Sequence, residues 1–127
     1  MLYADSSALV KLVLAETESD ALDAYLGDRP LASSAFARTE LVRAVRRLRP
    51  DREEAAIALL ASLDFIDINR EVLTRAATLP PPQLRSLDAI HLASALALGE
   101  ELEALLTYDA RMAEAARAAG LHVESPA

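Results

Sequence analysis

The segment EALLTYDARMAEAARAAGLHVESP, Glu103–Pro126, decides the fold class. Its first part, EALLTYD, is a short apolar run that predicts a buried strand. ARMAEAARAAG then predicts a helix that ends at Gly120, and LHVESP predicts a second strand. Strands that alternate with helices are typical of a parallel sheet with helices on both faces.

The same alternation continues through the rest of the chain. Strands are predicted at LYAD, RPLASS and DFIDIN. Helices are predicted at Ser7–Ala15, TESDALDAYLGD, SAFARTELVRAVRRLR, DREEAAIALLASL, REVLTRAATL and SLDAIHLASALALG. We expect Thr17, Asp51 and Ser86 to cap helices and Gly27 to end one, while PPPQLR forms an irregular connection.

Length and composition indicate one globular domain over residues 1–127 with an aliphatic core. The chain has 127 residues, of which 53% are hydrophobic and 4% aromatic. It has no cysteine, which excludes disulfides, zinc–thiolate sites and thiol nucleophiles. The start MLYADSS is unlike a secretory signal, and no apolar run reaches the length of a membrane span. We therefore expect a cytoplasmic protein with no membrane partner.

The net charge of −7 argues against a protein that holds nucleic acid by charge alone. A role on nucleic acid would need bound cations. Positive charge is concentrated locally in RTELVRAVRRLR, Arg38–Arg49, where it forms either a solvated helix face or a surface for phosphates.

Two acids, Asp5 and Asp109, stand just after predicted strands. In an open parallel sheet the ligand crevice lies beyond the carboxyl ends of the strands, so both acids are expected at one edge of the sheet. Each also has a purely structural explanation, because an aspartate at this point caps the following helix. Glu40 borders the apolar stripe of its own helix and is the third acid of interest.

The fourth acid, Asp88, lies in SLDAIHLASALALG, a helix that is otherwise apolar on every side. Such a helix is normally buried, and a buried carboxylate is costly unless it is paired with a cation. The helix dipole and Arg85, three positions earlier, offer a structural explanation. His91, one turn after Asp88, is equally well explained as a core histidine with satisfied hydrogen bonds.

If the four acids converge, they form an all-oxygen cluster that suits Mg²⁺ or Mn²⁺ and disfavours zinc. Two such ions could cleave a phosphodiester, one activating water and the other stabilising the leaving oxygen.

The segments LYADSSALVKL, TELVRA, LRSLDAIHLASAL and LLTYDARMAEAARAAGLHV together resemble the PIN-domain ribonucleases, specifically the VapC-type toxins of toxin–antitoxin pairs. The resemblance covers nearly the whole chain. It implies a three-layer α/β/α PIN-like fold with a mainly parallel sheet, and an endoribonuclease dependent on Mg²⁺ or Mn²⁺. The acidic cluster of the family maps onto Asp5, Glu40, Asp88 and Asp109.

The resemblance also implies supporting hydroxyls at Ser6 and Thr107. It implies a homodimer, an RNA substrate and a cognate VapB-type antitoxin whose C-terminal segment occupies the active-site groove. Candidate RNA contacts are Lys11, Arg43, Arg85 and Arg111, each of which could instead form a surface ion pair.

Two other functions stay open from the residues alone. A phosphatase could use Asp5 as its nucleophile, although position 7 is Ser where a second Asp would be expected. A non-catalytic binding module would use the same acids only as helix caps.

Overall fold

The computed structural model describes all residues, Met1–Ala127, and contains a five-stranded sheet that is parallel throughout. The strands are β1 Leu2–Ala4, β2 Leu31–Ser34, β3 Asp64–Ile66, β4 Ala104–Leu106 and β5 Val123–Glu124. Their order in the sheet is β3-β2-β1-β4-β5, so β1 is central. All five strands predicted from the sequence are therefore members of one sheet.

Seven helices connect these strands. They are α1 Ser6–Val13, α2 Ser19–Leu26, α3 Ala37–Leu48, α4 Glu53–Ser62, α5 Arg70–Thr78, α6 Ser86–Ala97 and α7 Ala110–Ala118. Two short 3₁₀ turns occur at Pro50–Arg52 and Gly99–Glu101. None of the helices combines the length and apolar character needed to cross a bilayer.

The sheet separates two apolar cores. Alternate residues of a strand point to opposite faces, so Leu2 and Ala4 pack with α1 to α4, whereas Tyr3 packs with α6 and α7. Helix α5 lies against α6 through a smaller cluster around Val72 and Ala93. This arrangement is the three-layer α/β/α sandwich with a parallel sheet that the sequence predicts.

The chain order reverses beside the central strand. From β1 the chain proceeds outward to β2 and β3, then crosses back so that β4 pairs with the other side of β1. Such a reversal leaves a crevice at the carboxyl ends of the two central strands. Asp5 directly follows β1 and Thr107 directly follows β4, so both residues lie at this crevice.

Helix ends were predicted with mixed success. Gly27 and Gly120 follow helices as predicted, and their φ values of +54° and +90° favour glycine. The predicted caps at Thr17, Asp51 and Ser86 are wrong. Helix α2 begins at Ser19, a 3₁₀ turn precedes α4, and α6 begins at Ser86 itself without a side-chain cap.

Candidate active site

Asp5 is the N-cap of α1 and is almost completely buried, with 3% of its surface exposed. Its Oδ1 accepts hydrogen bonds from the Ser7 hydroxyl at 2.6 Å and from the Ala8 backbone N–H at 3.1 Å, while Oδ2 accepts from the Thr107 hydroxyl. Burial raises the pKa of Asp5 above its ordinary value, and the bonds from Ser7 and Thr107 oppose that rise. A carboxylate buried in this way favours a nearby cation.

The segment after β4 is joined to the segment after β1 by hydroxyl groups. The Ser7 hydroxyl accepts from the Tyr108 backbone N–H at 2.9 Å, and the Thr107 hydroxyl accepts from the Asp109 N–H at 3.1 Å. Asp109 caps α7 through its Oδ1, as predicted. These hydrogen bonds link the residues that follow β1 and β4, and so they fix Asp5 and Asp109 relative to each other.

Arg85 connects two of the acids. Its Nε lies 3.2 Å from Asp88 Oδ2, and its terminal nitrogen lies 3.6 Å from Asp109 Oδ2. The Arg85 side chain is 75% exposed, whereas those of Asp88 and Asp109 are 20% and 29% exposed. An exposed arginine thus balances two partly buried carboxylates, one on α6 and one at the N-terminus of α7.

Glu40 projects from the first turn of α3 and contacts a histidine of α6. Its Oε1 lies 2.9 Å from Nε2 of His91, and Nδ1 of His91 lies 2.7 Å from the Tyr3 hydroxyl. His91 is therefore the partner of Glu40, not of Asp88, although Asp88 is the acid one turn away on the same helix.

All four predicted acids line one cleft of about 490 Å³. Its lining also contains two serines and three arginines, namely Ser6, Ser7, Arg43, Arg47 and Arg85. Two of the predicted RNA contacts lie elsewhere. The Lys11 ammonium is 2.6 Å from a Glu18 carboxylate oxygen, and Arg111 lines a separate cavity beside Pro81 and Leu84.

The donors in the cleft fit a hard divalent cation by their chemistry. The donors are carboxylate and hydroxyl oxygens without sulfur, which Mg²⁺ and Mn²⁺ prefer. The Arg85 guanidinium already stands as a cation between Asp88 and Asp109. Asp5 and Glu40 have separate protein partners and Asp88 shares Arg85 with Asp109, and the structure contains no group of three or more acidic or histidine side chains arranged to hold a metal ion. An ion bound by Asp88 and Asp109 would compete with Arg85 for both carboxylates.

Comparison with known proteins identifies the family. The PIN domain family matches residues 2–118. Ribonuclease VapC46 of Mycobacterium tuberculosis strain ATCC 25618 / H37Rv is 48% identical, covering 98% of this chain and 97% of the relative. Ribonuclease VapC35 of the strain CDC 1551 / Oshkosh is 47% identical, over 99% of this chain and 97% of its own length.

The chain belongs to the PIN-domain family. Within that family it belongs with the VapC ribonucleases. Solved structures agree on the fold. VapBC2 from Rickettsia felis, bound to a DNA fragment from its promoter, gives a TM-score of 0.73 at 17% identity over the whole of both chains. VapC20 of Mycobacterium tuberculosis, a sarcin–ricin loop cleaving toxin, gives a TM-score of 0.72 at 15% identity, also over both whole chains.

Two residues at the cleft of this PIN domain and one contact behind it were not predicted from the sequence. Ser7, rather than the predicted Ser6, donates to Asp5. Arg47 lines the cleft, and its spacing of four from Arg43 on a helix could have revealed it. The contact between His91 and Glu40 joins positions 51 apart in sequence, and no local pattern indicates it.

Proposed function

We propose that this protein is the ribonuclease toxin of a toxin–antitoxin pair and that it hydrolyses RNA phosphodiester bonds with Mg²⁺ or Mn²⁺ held by Asp5, Glu40, Asp88 and Asp109. One observation carries the assignment of these residues: acids from four separate parts of the chain line the same cleft at the carboxyl ends of β1 and β4. The VapC relatives support the reaction class.

In this mechanism the Asp5 carboxylate keeps one orientation, because three hydrogen-bond donors hold it in place. Glu40, Asp88 and Asp109 complete the oxygen donors. A divalent cation, when bound, neutralises charge on the scissile phosphate and activates water for in-line attack. Arg85 leaves its two carboxylates and becomes available for a flanking phosphate. The products would carry 5′-phosphate and 3′-hydroxyl ends.

Arg43 and Arg47, both on α3, supply positive charge in the cleft. Both side chains are exposed, and neither forms an ion pair, in contrast to Arg46 and Arg49 on the same segment. We propose that these two arginines hold phosphates of the RNA. Lys11 and Arg111 lie outside the cleft and remain weaker candidates.

Neither alternative function is favoured by the geometry. A phosphatase with Asp5 as nucleophile would need a second Asp at position 7, where Ser7 instead donates a hydrogen bond to Asp5. A non-catalytic module would use the acids as caps, but Glu40 and Asp88 cap no helix and still line the cleft.

RNA cleavage by Asp5→Asn and Asp88→Asn tests the assignment. Each variant should lose about 100-fold or more of the wild-type rate in Mg²⁺ or Mn²⁺, because metal catalysis contributes several kcal/mol to the barrier. Asp23→Asn, an exposed position on α2, is the matched control and should cleave normally. Undiminished cleavage by either site variant would overturn the assignment.

The partners follow from the same assignment. We propose that a VapB-type antitoxin binds the toxin in the cytoplasm, with a basic side chain among the cleft carboxylates. We further propose a homodimer and a single PIN domain over residues 1–127. Co-expression with the product of a short upstream reading frame should abolish RNA cleavage, and size-exclusion chromatography with light scattering measures the oligomeric state.

A further inference from the structure

A buried histidine links Glu40 to the centre of the sheet. His91 on α6 is 1% exposed, and Tyr3 on the central strand is fully buried. The imidazole stands between them, 2.7 Å from the Tyr3 hydroxyl and 2.9 Å from Glu40 Oε1. The chain of contacts therefore runs from β1 through α6 to α3, three elements that are distant in sequence.

Aromatic packing fixes the imidazole ring. The Phe36 ring lies 4.6 Å from the His91 ring, centroid to centroid, and the Tyr3 ring meets it edge-on at 5.8 Å. A ring packed in this way has few alternative rotamers. The orientation of Nε2 toward Glu40 is therefore set by the core of the protein and not by the solvent-facing cleft.

The direction of the two hydrogen bonds follows from the groups involved. A carboxylate accepts hydrogen bonds, so Nε2–H of His91 donates to Glu40. In the neutral imidazole Nδ1 is then the acceptor, and the Tyr3 hydroxyl donates to it. Loss of the hydroxyl would leave Nδ1 without a donor in a dry environment and would loosen the preferred orientation of the ring.

Glu40 differs from the other three acids in the groups that hold its carboxylate in place. Asp5 is held by its own segment and Thr107, and Asp88 and Asp109 share the exposed Arg85. Glu40 forms its one hydrogen bond with His91, which holds Oε1. Ordering a freely rotating glutamate side chain costs conformational entropy. A buried donor that already orders the side chain before the ligand arrives therefore favours ligand binding.

We infer that His91 and Tyr3 are positioning residues that hold the Glu40 carboxylate at the cleft for a divalent cation. This inference rests on the proposed function. Some groups form hydrogen bonds to metal-binding carboxylates without contacting the metal. Removal of such a group typically lowers metal affinity about 10-fold to 100-fold.

Two amide substitutions at one position separate this role from simple core packing. In His91→Gln the amide N–H can take the place of Nε2–H, whereas the shorter side chain of His91→Asn does not reach Glu40. Mn²⁺ affinity is measured by titration calorimetry on the metal-free full chain. We expect His91→Asn to bind Mn²⁺ about 10-fold or more weakly and His91→Gln to recover most of that loss.

Two further variants complete the experiment. Tyr3→Phe removes one buried oxygen without changing the ring, and we expect it to weaken Mn²⁺ binding about threefold to 10-fold. If His91→Asn does not fold, as judged by urea denaturation, the Mn²⁺ affinity of Tyr3→Phe tests the positioning role. His122→Asn is the matched control because His122 also contacts a carboxylate, Glu124, at 2.7 Å but lies outside the cleft. Its Mn²⁺ affinity should equal that of the wild type.

The outcomes separate this inference from the proposed function. Equal Mn²⁺ affinity in the wild type, Tyr3→Phe and any folded His91→Asn protein overturns the positioning role alone. Equal losses in His91→Gln and His91→Asn also overturn it, since packing would then explain both. A wild-type protein that binds no Mn²⁺ overturns both the inference and the metal site on which it rests.

Discussion

Asp5 combines deep burial with three hydrogen-bond donors, and the balance of these effects determines how the protein responds to pH. Burial raises the pKa of this carboxyl in the folded state, and the hydrogen bonds only partly compensate. A raised folded pKa contributes stability that is complete below the unfolded value near 3.8 and is lost as the pH rises through the folded value. Folding therefore disfavours the ionised form of Asp5 in the metal-free protein.

Asp5→Asn removes that charge. In EDTA at pH 8 we expect the substitution to raise the free energy of unfolding by about 1 kcal/mol, the scale of an incompletely compensated buried polar group. The gain should shrink as the pH falls to 3.8 and below, where the carboxyl takes up a proton in both the folded and the unfolded chain. Urea denaturation across this range measures the difference, and an Asn variant that is less stable than the wild type at pH 8 would contradict the prediction.

Arg85 competes with any cation for Asp88 and Asp109. Its ion pairs lie at the surface, where a pair contributes at most about 1 kcal/mol. Arg85→Ala should therefore change stability by less than about 0.5 kcal/mol. The same substitution should strengthen Mn²⁺ binding about twofold to 10-fold, because a positive charge leaves the site.

Titration calorimetry compares Arg85→Ala with Arg117→Ala, which removes an exposed arginine of α7 outside the cleft. Arg117→Ala should bind Mn²⁺ like the wild type. Weaker Mn²⁺ binding by Arg85→Ala would show that Arg85 supports the metal site instead of competing for it.

The position of an acid could be predicted from the sequence where it depends only on neighbouring residues. Asp5 and Asp109 follow apolar strands and cap helices, and the sequence predicts both features. The pairing of Arg85 with Asp88 follows from their spacing on a helix. The contact between Glu40 and His91 depends on how α3 and α6 pack across the sheet, so it could not be predicted from either helix alone.

Helix α3 carries two arginines that line the cleft, Arg43 and Arg47. We predict that the double variant Arg43→Ala/Arg47→Ala binds RNA more weakly and with a reduced dependence on salt. Each lost phosphate contact should lower the slope of log K against log salt by about 0.7 for single-stranded RNA. Binding is measured in EDTA, so that cleavage does not interfere.

The control for this prediction lies on the same segment. Arg46→Ala/Arg49→Ala removes the same charge, but these two side chains pair with Glu53 and Asp51 outside the cleft. It should leave the salt slope nearly unchanged. Equal slopes for the two double variants would mean that α3 attracts RNA by its overall charge and not through the cleft.

At the level of elements, apolar patterns located the strands and helices better than capping residues located their ends. The cap at Thr17 failed because the chain forms an extra turn there. Ser19 accepts from the Glu16 N–H and donates to the Leu14 carbonyl, so α2 starts one residue later than a Thr17 cap implies. Side-chain bonds of this kind depend on the packed loop, which local propensity does not describe.

At the scale of the whole molecule, alternation of strands and helices predicts a parallel sheet but not the order of its strands. The order places β4 beside β1, and this pairing brings Thr107 and Asp109 to Asp5. Residues about a hundred positions apart thus share one site. The resemblance to a known family supplied this convergence at the sequence level, because periodicity and spacing alone do not contain it.

The cleft joins both helical layers to the centre of the sheet, so an ion bound there should stabilise the whole fold. Ligands that bind only the folded state stabilise it by about 2.7 kcal/mol at a concentration of 100 times Kd. For a domain of this size that corresponds to a rise in Tm of about 10 °C, measured by differential scanning fluorimetry in Mn²⁺ against EDTA. Asp88→Asn should lose most of the rise, whereas Asp23→Asn should keep it. A wild-type Tm that does not respond to Mn²⁺ would favour a non-catalytic module in which the acids serve only the fold.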